Sequence, residues 1–511
     1  MKKTLKIFAC MILLVTMMVT AAQAYVPYNA YEFDYYGNVL AAPAGYVPEK
    51  VVFGSDMGID AMNKPVDIYV NKALEKILIL DSGAKDNASR VLILDYNYKV
   101  EKQIVDFYDK DGSLLQVVNA TGISMDDDGY LYVCDPDSFR VLKMDLNGKT
   151  VLKYGAPPRE YTSESFVYRP IKLEIGINGS IFVISKGSTD GIMEFDTKGT
   201  FVRFFGAPEV QLDLTDLLNV WWRNIYRSVF GADSDQYFVT YVPSEFVNLF
   251  TDEHGFVFTM VGSNASSTDE VYKLNFIGKN ILDPTQKSTQ KRNSSLSSNY
   301  GDLIKRSTFD NVFCDICVDD EGFFTLLDTQ LGKVFEYDKE GNLIFVYANQ
   351  GNTVNQIQIG LLKTPTSLAK HGKKTLVLDS DTGGMTVYKL SSFGEQLHEA
   401  VILYNEGKYE EAKEPWNEVL KYDANSELAH IGLGKVHMLQ SNYGDALDEF
   451  KLGNDRYNYS TAFKLYRDEI IRSNFGWFMT VIVVLVVLLF VWKKFGKIIV
   501  VKIKGRKAGD A

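Results

Sequence analysis

Four aspartates follow short apolar runs at the same place in a repeated pattern: Asp81, Asp135, Asp328 and Asp379. Carboxylate oxygens are preferred ligands of hard divalent cations, so such groups converging on one point would form a metal site. Aspartate at the end of a strand also caps turns, because its side chain accepts hydrogen bonds from nearby backbone N–H groups. The repeat places the four carboxylates at equivalent heights, but not at one point. Turn capping is therefore the favoured interpretation, and a metal site is the alternative.

Two arginines and a tryptophan-rich segment are further candidates for ligand binding. Arg90 and Arg140 each open the apolar run that follows one of these aspartates. Trp221, Trp222 and Arg223 lie in a segment whose apolar residues recur at helical spacing, so they could form a cationic lid or touch a membrane. Packing of this helix against the edge of a sheet is the interpretation we favour.

Cysteine and histidine form no recognisable catalytic or metal-binding pattern in the sequence. Cys314 and Cys317 lie on a predicted strand, where residues three apart point to opposite faces, so they suit neither a shared metal ion nor a local disulfide. His398 is followed by a glutamate, but position 402 is isoleucine and not the second histidine of a zinc protease. Under the favoured interpretation we expect no catalytic residue, no metal and no cofactor.

The segment from Thr121 to Gly155 shows the elements that must position these residues. It contains four short apolar runs, which are too short for globular helices and suit antiparallel strands. Asp128-Gly129 and Asn147-Gly148 lie between runs, where a two-residue hairpin turn needs positive φ angles. The segment therefore predicts a four-stranded meander.

This pattern recurs six times, about 50 residues apart where it is not interrupted. One small twisted sheet cannot bury both of its faces until neighbouring sheets stack around an axis. The repeat therefore predicts a mainly β fold, a six-bladed β-propeller over residues 51–391. An irregular β-sandwich is the alternative, but it would not explain the repeated place of aspartate.

The string GISMDDDGYLYVCD over residues 122–135, followed by Arg140 and Val141, resembles the NHL repeat family of β-propellers. The resemblance extends over residues 51–391 and implies the fold more than an activity. Gluconolactonase-type propellers hold one divalent ion at the mouth of the channel, so the resemblance also implies an alternative, a metal-dependent lactone hydrolase. Residues 44–50 are similar to the lead-in of membrane-anchored NHL proteins encoded beside bacterial sugar transporters.

A lead-in and two insertions complete the predicted propeller. Residues 25–50 are rich in Tyr, Ala and Pro, and we expect an extended segment that attaches to the propeller. Residues 211–230 are the helical insertion that carries the two tryptophans. Residues 281–308 are rich in Ser, Asn, Gln and Lys without periodicity, which predicts a solvated loop.

Residues 394–471 change to helical spacing and contain a repeat of 34 residues. The repeat matches Tyr409 with Tyr443, Ala412 with Ala446 and Trp416 with Phe450. This pattern resembles tetratricopeptide repeats, which are helical hairpins. Two repeats leave an unfinished core, so a third helix, predicted over residues 457–471, must cap them.

The N-terminus predicts export. Residues 1–24 combine early lysines, an apolar run and the small-residue string AQA, which together predict a signal peptide cleaved before Tyr25.

The C-terminus predicts a membrane anchor. Residues 475–494 predict one transmembrane helix, because residues 476–492 carry no charge and are framed by Trp477 and Trp492. Lys493, Lys494 and the basic tail 495–511 stay in the cytoplasm by the positive-inside rule. We therefore expect a single-pass protein of the cell membrane whose N-terminal body is extracytoplasmic.

Charge argues against nucleic acid as a partner. The net charge is −11, and both ends of the chain are basic, so the body between them is more acidic still and repels a phosphate backbone. The favoured function is a membrane-anchored binding or scaffold protein that recognises a protein or a saccharide outside the cell. The lactone hydrolase is the alternative, and an accessory subunit of a transport complex is a third possibility.

Overall fold

The computed structural model describes residues 26–83, 88–164, 166–206, 245–262, 271–282, 300–302, 311–351 and 358–507, with side chains up to residue 494. The predicted signal peptide, the helical insertion 211–230 and most of the polar loop 281–308 lie outside the described residues. The chain divides into two compact units, Met1–Ile402 and Leu403–Ala511.

The first strands form a hairpin and then an isolated strand that joins a later sheet. β1 (Tyr31–Phe33) pairs with β2 (Val39–Ala41), and β3 (Tyr46–Phe53) follows. A one-turn helix, α1 (Gly54–Met57), leads from β3 to the first complete sheet.

Six antiparallel sheets, called blades 1 to 6, follow in chain order, and a short hairpin lies between the first two. Blade 1 is β4 (Pro65–Asn71), β5 (Lys76–Asp81), β6 (Arg90–Leu94) and β7 (Val100–Ile104); the hairpin is β8 (Phe107–Tyr108) and β9 (Leu114–Leu115). Blade 2 is β10 (Ile123–Met125), β11 (Leu131–Asp135), β12 (Arg140–Met144) and β13 (Thr150–Tyr154). Blade 3 is β14 (Pro170–Ile175), β15 (Ile181–Ser185), β16 (Ile192–Phe195) and β17 (Phe201–Phe205).

The remaining blades have the same order of strands, although blade 4 has three strands among the described residues. Blade 4 is β18 (Phe246–Thr251), β19 (Val257–Val261) and β20 (Val271–Leu274). Blade 5 is β21 (Phe313–Val318), β22 (Phe324–Asp328), β23 (Lys333–Tyr337) and β24 (Leu343–Tyr347). Blade 6 is β25 (Pro365–His371), β26 (Lys374–Asp379), β27 (Gly384–Leu390) and β3. The fold is the predicted six-bladed β-propeller.

The N-terminal strand β3 closes the ring. It pairs antiparallel with β27, from Phe53 opposite Gly384 to Tyr46 opposite Leu390. The last blade is therefore built from both ends of the propeller sequence, and the ring cannot open without breaking this ladder. The predicted boundary at residue 50 falls inside this strand.

Apolar side chains of neighbouring blades share cores, which is why isolated blades would not be stable. Leu80 of blade 1 and Val133 of blade 2 belong to one buried cluster, and Ile79 of blade 1 and Leu376 of blade 6 belong to another. Each blade thus buries both faces against its neighbours, as the repeat predicts.

The hairpin turns differ from the prediction of two-residue turns. In the β10–β11 turn, Gly129 N donates to Asp126 O at 3.0 Å and Asp126 N donates to Tyr130 O at 3.1 Å. Gly129 has a φ of 86°, whereas Asp128 is not in the left-handed region. The loop therefore has three residues, and Asp126 Oδ1 stabilises it by accepting from Tyr130 N at 2.8 Å.

The two ends of the propeller differ in the length of their connections. In each meander the connections from strand one to two and from three to four lie at one end, called the turn end. The other connections lie at the opposite end, called the loop end. β17 ends and β18 begins at the loop end, and so do β19 and β20, so residues 206–245 and 262–270 join strand ends of the loop end.

Five helices follow the propeller. They are α2 (Ser392–Asn405), α3 (Tyr409–Tyr422), α4 (Glu427–Leu439), α5 (Tyr443–Leu452) and α6 (Arg456–Lys507). Trp416 and Phe450, which are 34 residues apart, are both buried against glycines of α4. A Cβ on Gly432 would lie 2.4 Å from Trp416, and one on Gly434 would lie 2.6 Å from Phe450. Glycine at these positions lets α4 approach both aromatic rings.

The last helix, α6, has 52 residues and is about 78 Å long at about 1.5 Å per residue. Its first turns pack on α5. Further along, the helix has a stretch with a mean hydropathy of 2.7 and no burial, long and apolar enough to cross a membrane.

Candidate functional site

Six equivalent positions of the innermost strands meet at the axis of the propeller. Five of them are the third residue of β4, β14, β18, β21 and β25, next to the β-bulge that shifts the register of each strand. The sixth position immediately precedes β10. These six residues, called the axial cluster, are Asp67, Gly122, Lys172, Asn248, Asp315 and Ser367.

Lys172 lies between the two aspartates of the axial cluster. Its Nζ is 2.7 Å from Asp67 Oδ1 and 3.7 Å from Asp315 Oδ1. Asn248 Nδ2 donates to Asp315 Oδ1 at 2.7 Å, and Ser367 Oγ lies 2.9 Å from Asp67 Oδ1. Side chains from blades 1, 3, 4, 5 and 6 are thus joined across the axis.

Backbone N–H groups complete the hydrogen bonding of the two aspartates. Ile123 N of blade 2 donates to Asp67 Oδ2 at 2.8 Å, and Leu368 N of blade 6 donates to Asp315 Oδ2 at 2.7 Å. A Cβ on Gly122 would lie only 3.0 Å from a carbonyl oxygen of blade 3, so glycine lets blade 2 approach the axis.

Burial and charge pairing set the protonation of the axial cluster. Burial alone would lower the pKa of Lys172, but Asp315 and Asp67 outweigh it and raise the pKa above its ordinary value. Burial raises the pKa of Asp315, and Lys172 opposes that shift. Glu174, two residues further along β14, is also buried, and burial raises its pKa to about 8 although Lys172 opposes the shift. At neutral pH Lys172 is therefore an ammonium and Glu174 is mostly a neutral acid.

The axial cluster is filled and internally paired. A hard cation needs several oxygen ligands with lone pairs directed at one point. Here an ammonium lies between Asp67 and Asp315, and their oxygens accept from backbone and side-chain donors. Among the residues that the structure describes, no group of three or more His, Cys, Asp or Glu could hold a metal ion. What this arrangement can do is fix the six blades relative to one another.

The repeated aspartates lie at the ends of second strands and not in the axial cluster. Three of them accept a hydrogen bond from the backbone N–H of the residue directly before the innermost strand of the same blade. The pairs are Lys64 with Asp81, Val312 with Asp328 and Thr364 with Asp379. In blade 3 the same bond is made by Ser185 Oγ, which accepts from Arg169 N at 2.7 Å. Asp328 and Asp379 also cap the turn that follows them, by accepting from Gln330 N and Asp381 N, whereas turn capping by Asp81 and Asp135 stays a prediction.

The two arginines pair with aspartates of their own blades. Arg90 Nε donates to Asp81 Oδ2 at 3.0 Å, and Arg140 Nε donates to Asp135 Oδ2 at 2.9 Å. Asp135 Oδ1 is buried and has no hydrogen-bond partner among the described residues. A role of these residues in ligand binding stays a prediction.

A second buried charged group, called the junction cluster, lies where β3, blades 5 and 6 and α2 meet. Glu336 Oε2 accepts from Tyr46 OH at 2.9 Å and contacts Lys370, and Glu336 Oε1 is 2.6 Å from His398 Nε2. The ring of Phe323 stacks on His398 with centroids 4.1 Å apart. Burial alone would raise the pKa of Glu336, but Lys370 and His398 outweigh it and lower the pKa to about 2. The cluster therefore connects the closing strand β3 and the helix α2 to blades 5 and 6.

The other predicted site residues belong to two further parts of the chain. Trp221, Trp222 and Arg223 lie outside the described residues. Trp477 and Trp492 are exposed on α6 at the two ends of its apolar stretch, and Lys493 and Lys494 follow on the same helix.

Three cysteines lie within the described residues, and none of the three forms a disulfide. Cys134 and Cys317 are buried, and Cys314 is partly buried. Burial raises the pKa of all three thiols, so they are poor nucleophiles.

Sequence reasoning missed the axial cluster, although a signal for it exists. A polar residue stands two positions after the proline that opens an innermost strand in three blades. These pairs are Pro65 and Asp67, Pro170 and Lys172, and Pro365 and Ser367. The junction cluster has no comparable signal, because its residues come from four separate elements.

Comparisons with known proteins find only distant structural similarity. No protein-family model matches the chain, and no curated protein matches it significantly. A streptogramin B lyase structure is 10% identical, with 68% of this chain and 100% of that chain covered and a TM-score of 0.37. An auxiliary nutrient binding protein from Bacteroides ovatus is 13% identical, with 72% and 78% covered and a TM-score of 0.40. Similarity at this level carries no argument about function.

Proposed function

We propose that the chain is a membrane-anchored, extracytoplasmic binding and scaffold protein that recognises a protein or a saccharide at the loop end of its propeller. The observation that carries the proposal is the contrast between the two ends of the propeller and the filled axis between them. The described connections at the turn end are short and uniform, whereas the longer segments 206–245 and 262–270 join strand ends of the loop end. Binding residues are concentrated on loops that a rigid scaffold positions.

The tryptophan-rich segment belongs to the longest of these connections. It lies between β17, which ends at Phe205, and β18, which begins at Phe246. Tryptophan and arginine are the residues most often responsible for binding energy in interfaces. In the proposed function Trp221, Trp222 and Arg223 contribute to ligand binding.

The helical part supports a scaffold role. The pairs of buried residues 34 residues apart are those that tetratricopeptide hairpins use, and such hairpins bind proteins. The proposed topology has the apolar stretch of α6 crossing the membrane once, with the basic tail in the cytoplasm. This arrangement suits an accessory subunit of a transport complex.

The proposed function includes neither a resident metal nor a catalytic residue. The oxygens that face the axis are paired with Lys172 and with backbone N–H groups, so they do not present an open set of ligands. The aspartates predicted from the repeat accept hydrogen bonds within their own blades. A lactone hydrolase at the loop end would need residues beyond these.

Site-specific photo-cross-linking in intact cells tests the binding face. A photoreactive amino acid replaces Trp222, between β17 and β18, or, as the matched control, Lys198, which is exposed in the β16–β17 turn at the turn end. We expect a cross-linked partner from position 222 and none from position 198. If the ligand is a saccharide, we expect the purified full chain to bind it on a glycan array.

Two results would contradict the proposal. Equal cross-linking from both positions would mean that the partner does not bind specifically at the loop end. Metal-dependent lactone hydrolysis by the purified chain, lost in Asp135→Ala but kept in a variant of exposed Asp137, would make the protein an enzyme.

A further inference from the structure

The part of α6 that precedes the apolar stretch carries a stripe of exposed apolar side chains. Tyr459, Phe463, Tyr466 and Ile470, called the stalk stripe, alternate between spacings of four and three residues and are 37–50% exposed. At about 100° per residue they lie within roughly 60° of one another around the helix. Apolar residues at this heptad spacing are typical of a coiled-coil seam.

The stalk stripe lies beside the face of α6 that packs on α5, and Tyr466 borders that face, since a Cβ on Gly444 of α5 would lie 3.9 Å from its ring. Asn458 and Ala462 are buried on that face, and Ala462 shares a small core with Ala446 and Phe450 of α5. The array therefore occupies one side of α6, and the stripe lies beside it and faces solvent. An apolar stripe that stays in water is unfavourable unless another surface covers it.

Outside the stalk stripe, exposed Leu465 and Ile471 share the helix circumference with charged residues. The charged residues are Lys464, Arg467, Asp468, Glu469 and Arg472. Glu469 borders one edge of the stalk stripe, and Arg467 borders the other. When two parallel helices are related by a two-fold axis, the edge with Glu469 on one helix faces the edge with Arg467 on the other. The stripe is thus complementary in charge to a second copy of itself.

The heptad spacing continues from the stalk into the apolar stretch. After Ile470 the same alternation reaches Ser473, Trp477 and Thr480, so the spacing extends over about three heptads, with polar residues at two of the last three positions. Helices that cross a membrane in one orientation are parallel to each other and are confined to one plane. This confinement removes part of the entropy cost that association in solution carries.

We propose that the stalk stripe binds the stalk stripe of a second copy of this chain, which forms a parallel two-helix coiled coil next to the membrane. The self-complementary edges, the fixed parallel orientation and the continuity of the seam favour a second copy over an unrelated partner. The proposal rests on the proposed membrane topology of α6 and does not depend on what the propeller binds.

Disulfide cross-linking of the full chain in its membrane tests the proposal. α6 contains no cysteine, so Phe463→Cys and Ile470→Cys each introduce one thiol into the seam. Asp468→Cys is the matched control, because position 468 lies about 170° from the centre of the stripe. We expect copper phenanthroline to give at least tenfold more product of twice the chain mass from the seam positions than from position 468. The unmodified chain gives the background from the native cysteines.

Any other pattern of cross-linked products would contradict the proposal. Equal yields from all three positions would indicate random collision, and monomer alone would mean that the stripe is covered by the chain itself. A product of any other mass would identify a different partner. As a second measurement, we expect energy transfer between labelled copies in liposomes to require at least tenfold more protein after Ile470→Asp, and no more after Asp468→Asn. No change after Ile470→Asp would also contradict the proposal.

Discussion

Replacing Glu174 with glutamine should change how the stability of the propeller depends on pH. Glu174 is buried beside the axial cluster, and burial raises its pKa to about 8 from 4.5. The folded state therefore binds a proton more tightly than the unfolded state does. Stability from this group is fully present below pH 4.5 and is lost as the pH rises through about 8.

The expected size of the effect follows from the pKa shift. One pKa unit corresponds to about 1.4 kcal/mol, so the stability lost relative to low pH is about 3 kcal/mol at pH 7, where only the unfolded chain has ionised Glu174, and about 5 kcal/mol well above pH 8. Glutamine is close in shape to the protonated acid and cannot ionise. The Glu174→Gln variant should match the natural chain at pH 4 and be more stable by several kcal/mol at pH 9.

Urea unfolding of the detergent-solubilised full chain between pH 4 and 9 measures this difference. Near-ultraviolet circular dichroism follows the buried tyrosines of the propeller, so it reports on the unit that contains Glu174. Glu253→Gln is the matched control, because Glu253 is an exposed glutamate on the same propeller. Curves for Glu174→Gln and the natural chain that stay parallel over this range would refute the electrostatic account of the axis.

Three further substitutions test the other buried charges. Lys172→Met should lower the free energy of unfolding by about 3–5 kcal/mol in urea, because two buried aspartates lose their cation; a loss near zero would mean that water replaces the ammonium. Glu336→Gln should reduce the loss of stability in acid, since the stability that Glu336 contributes is present above pH 4.5 and is lost as the pH falls through about 2. An unchanged acid-unfolding curve by circular dichroism would argue against this. Asp379→Ala should cost about 1–3 kcal/mol in urea by leaving backbone N–H groups unpaired, whereas the exposed Asp381→Ala should cost less than half of that.

The sequence was sufficient to predict the six blades because its signals are local. Apolar alternation and turn residues such as Gly129 act within one hairpin, and the period of about 50 residues shows how many hairpins must stack. The type of turn was predicted wrongly for a local reason. The Asp126 side chain stabilises a three-residue loop, and the pattern around Asp128 and Gly129 does not reveal that contact.

The axial cluster could not be predicted in the same way because it depends on closure of the ring. Asp67 and Lys172 are 105 residues apart in sequence, and only the stacking of the blades brings them within 2.7 Å. Their residue types also differ from blade to blade, so the repeat hides them. The repeated aspartates, in contrast, make contacts within one blade, and the turn-capping interpretation could be reached from the sequence.

The filled axis gives a physical reason why long connections are tolerated at the loop end. β18 and β21 each follow a long connection, yet both begin with the same β-bulge that β4 has, and both place a polar residue in the axial cluster. The register of these strands is therefore set at the axis, by Asn248 and Asp315, and not by the connection that leads to them. A connection whose length does not affect register is free to vary and to acquire binding residues. The charged axis therefore fixes the strands, and this leaves the connections at the loop end free to carry the proposed binding residues.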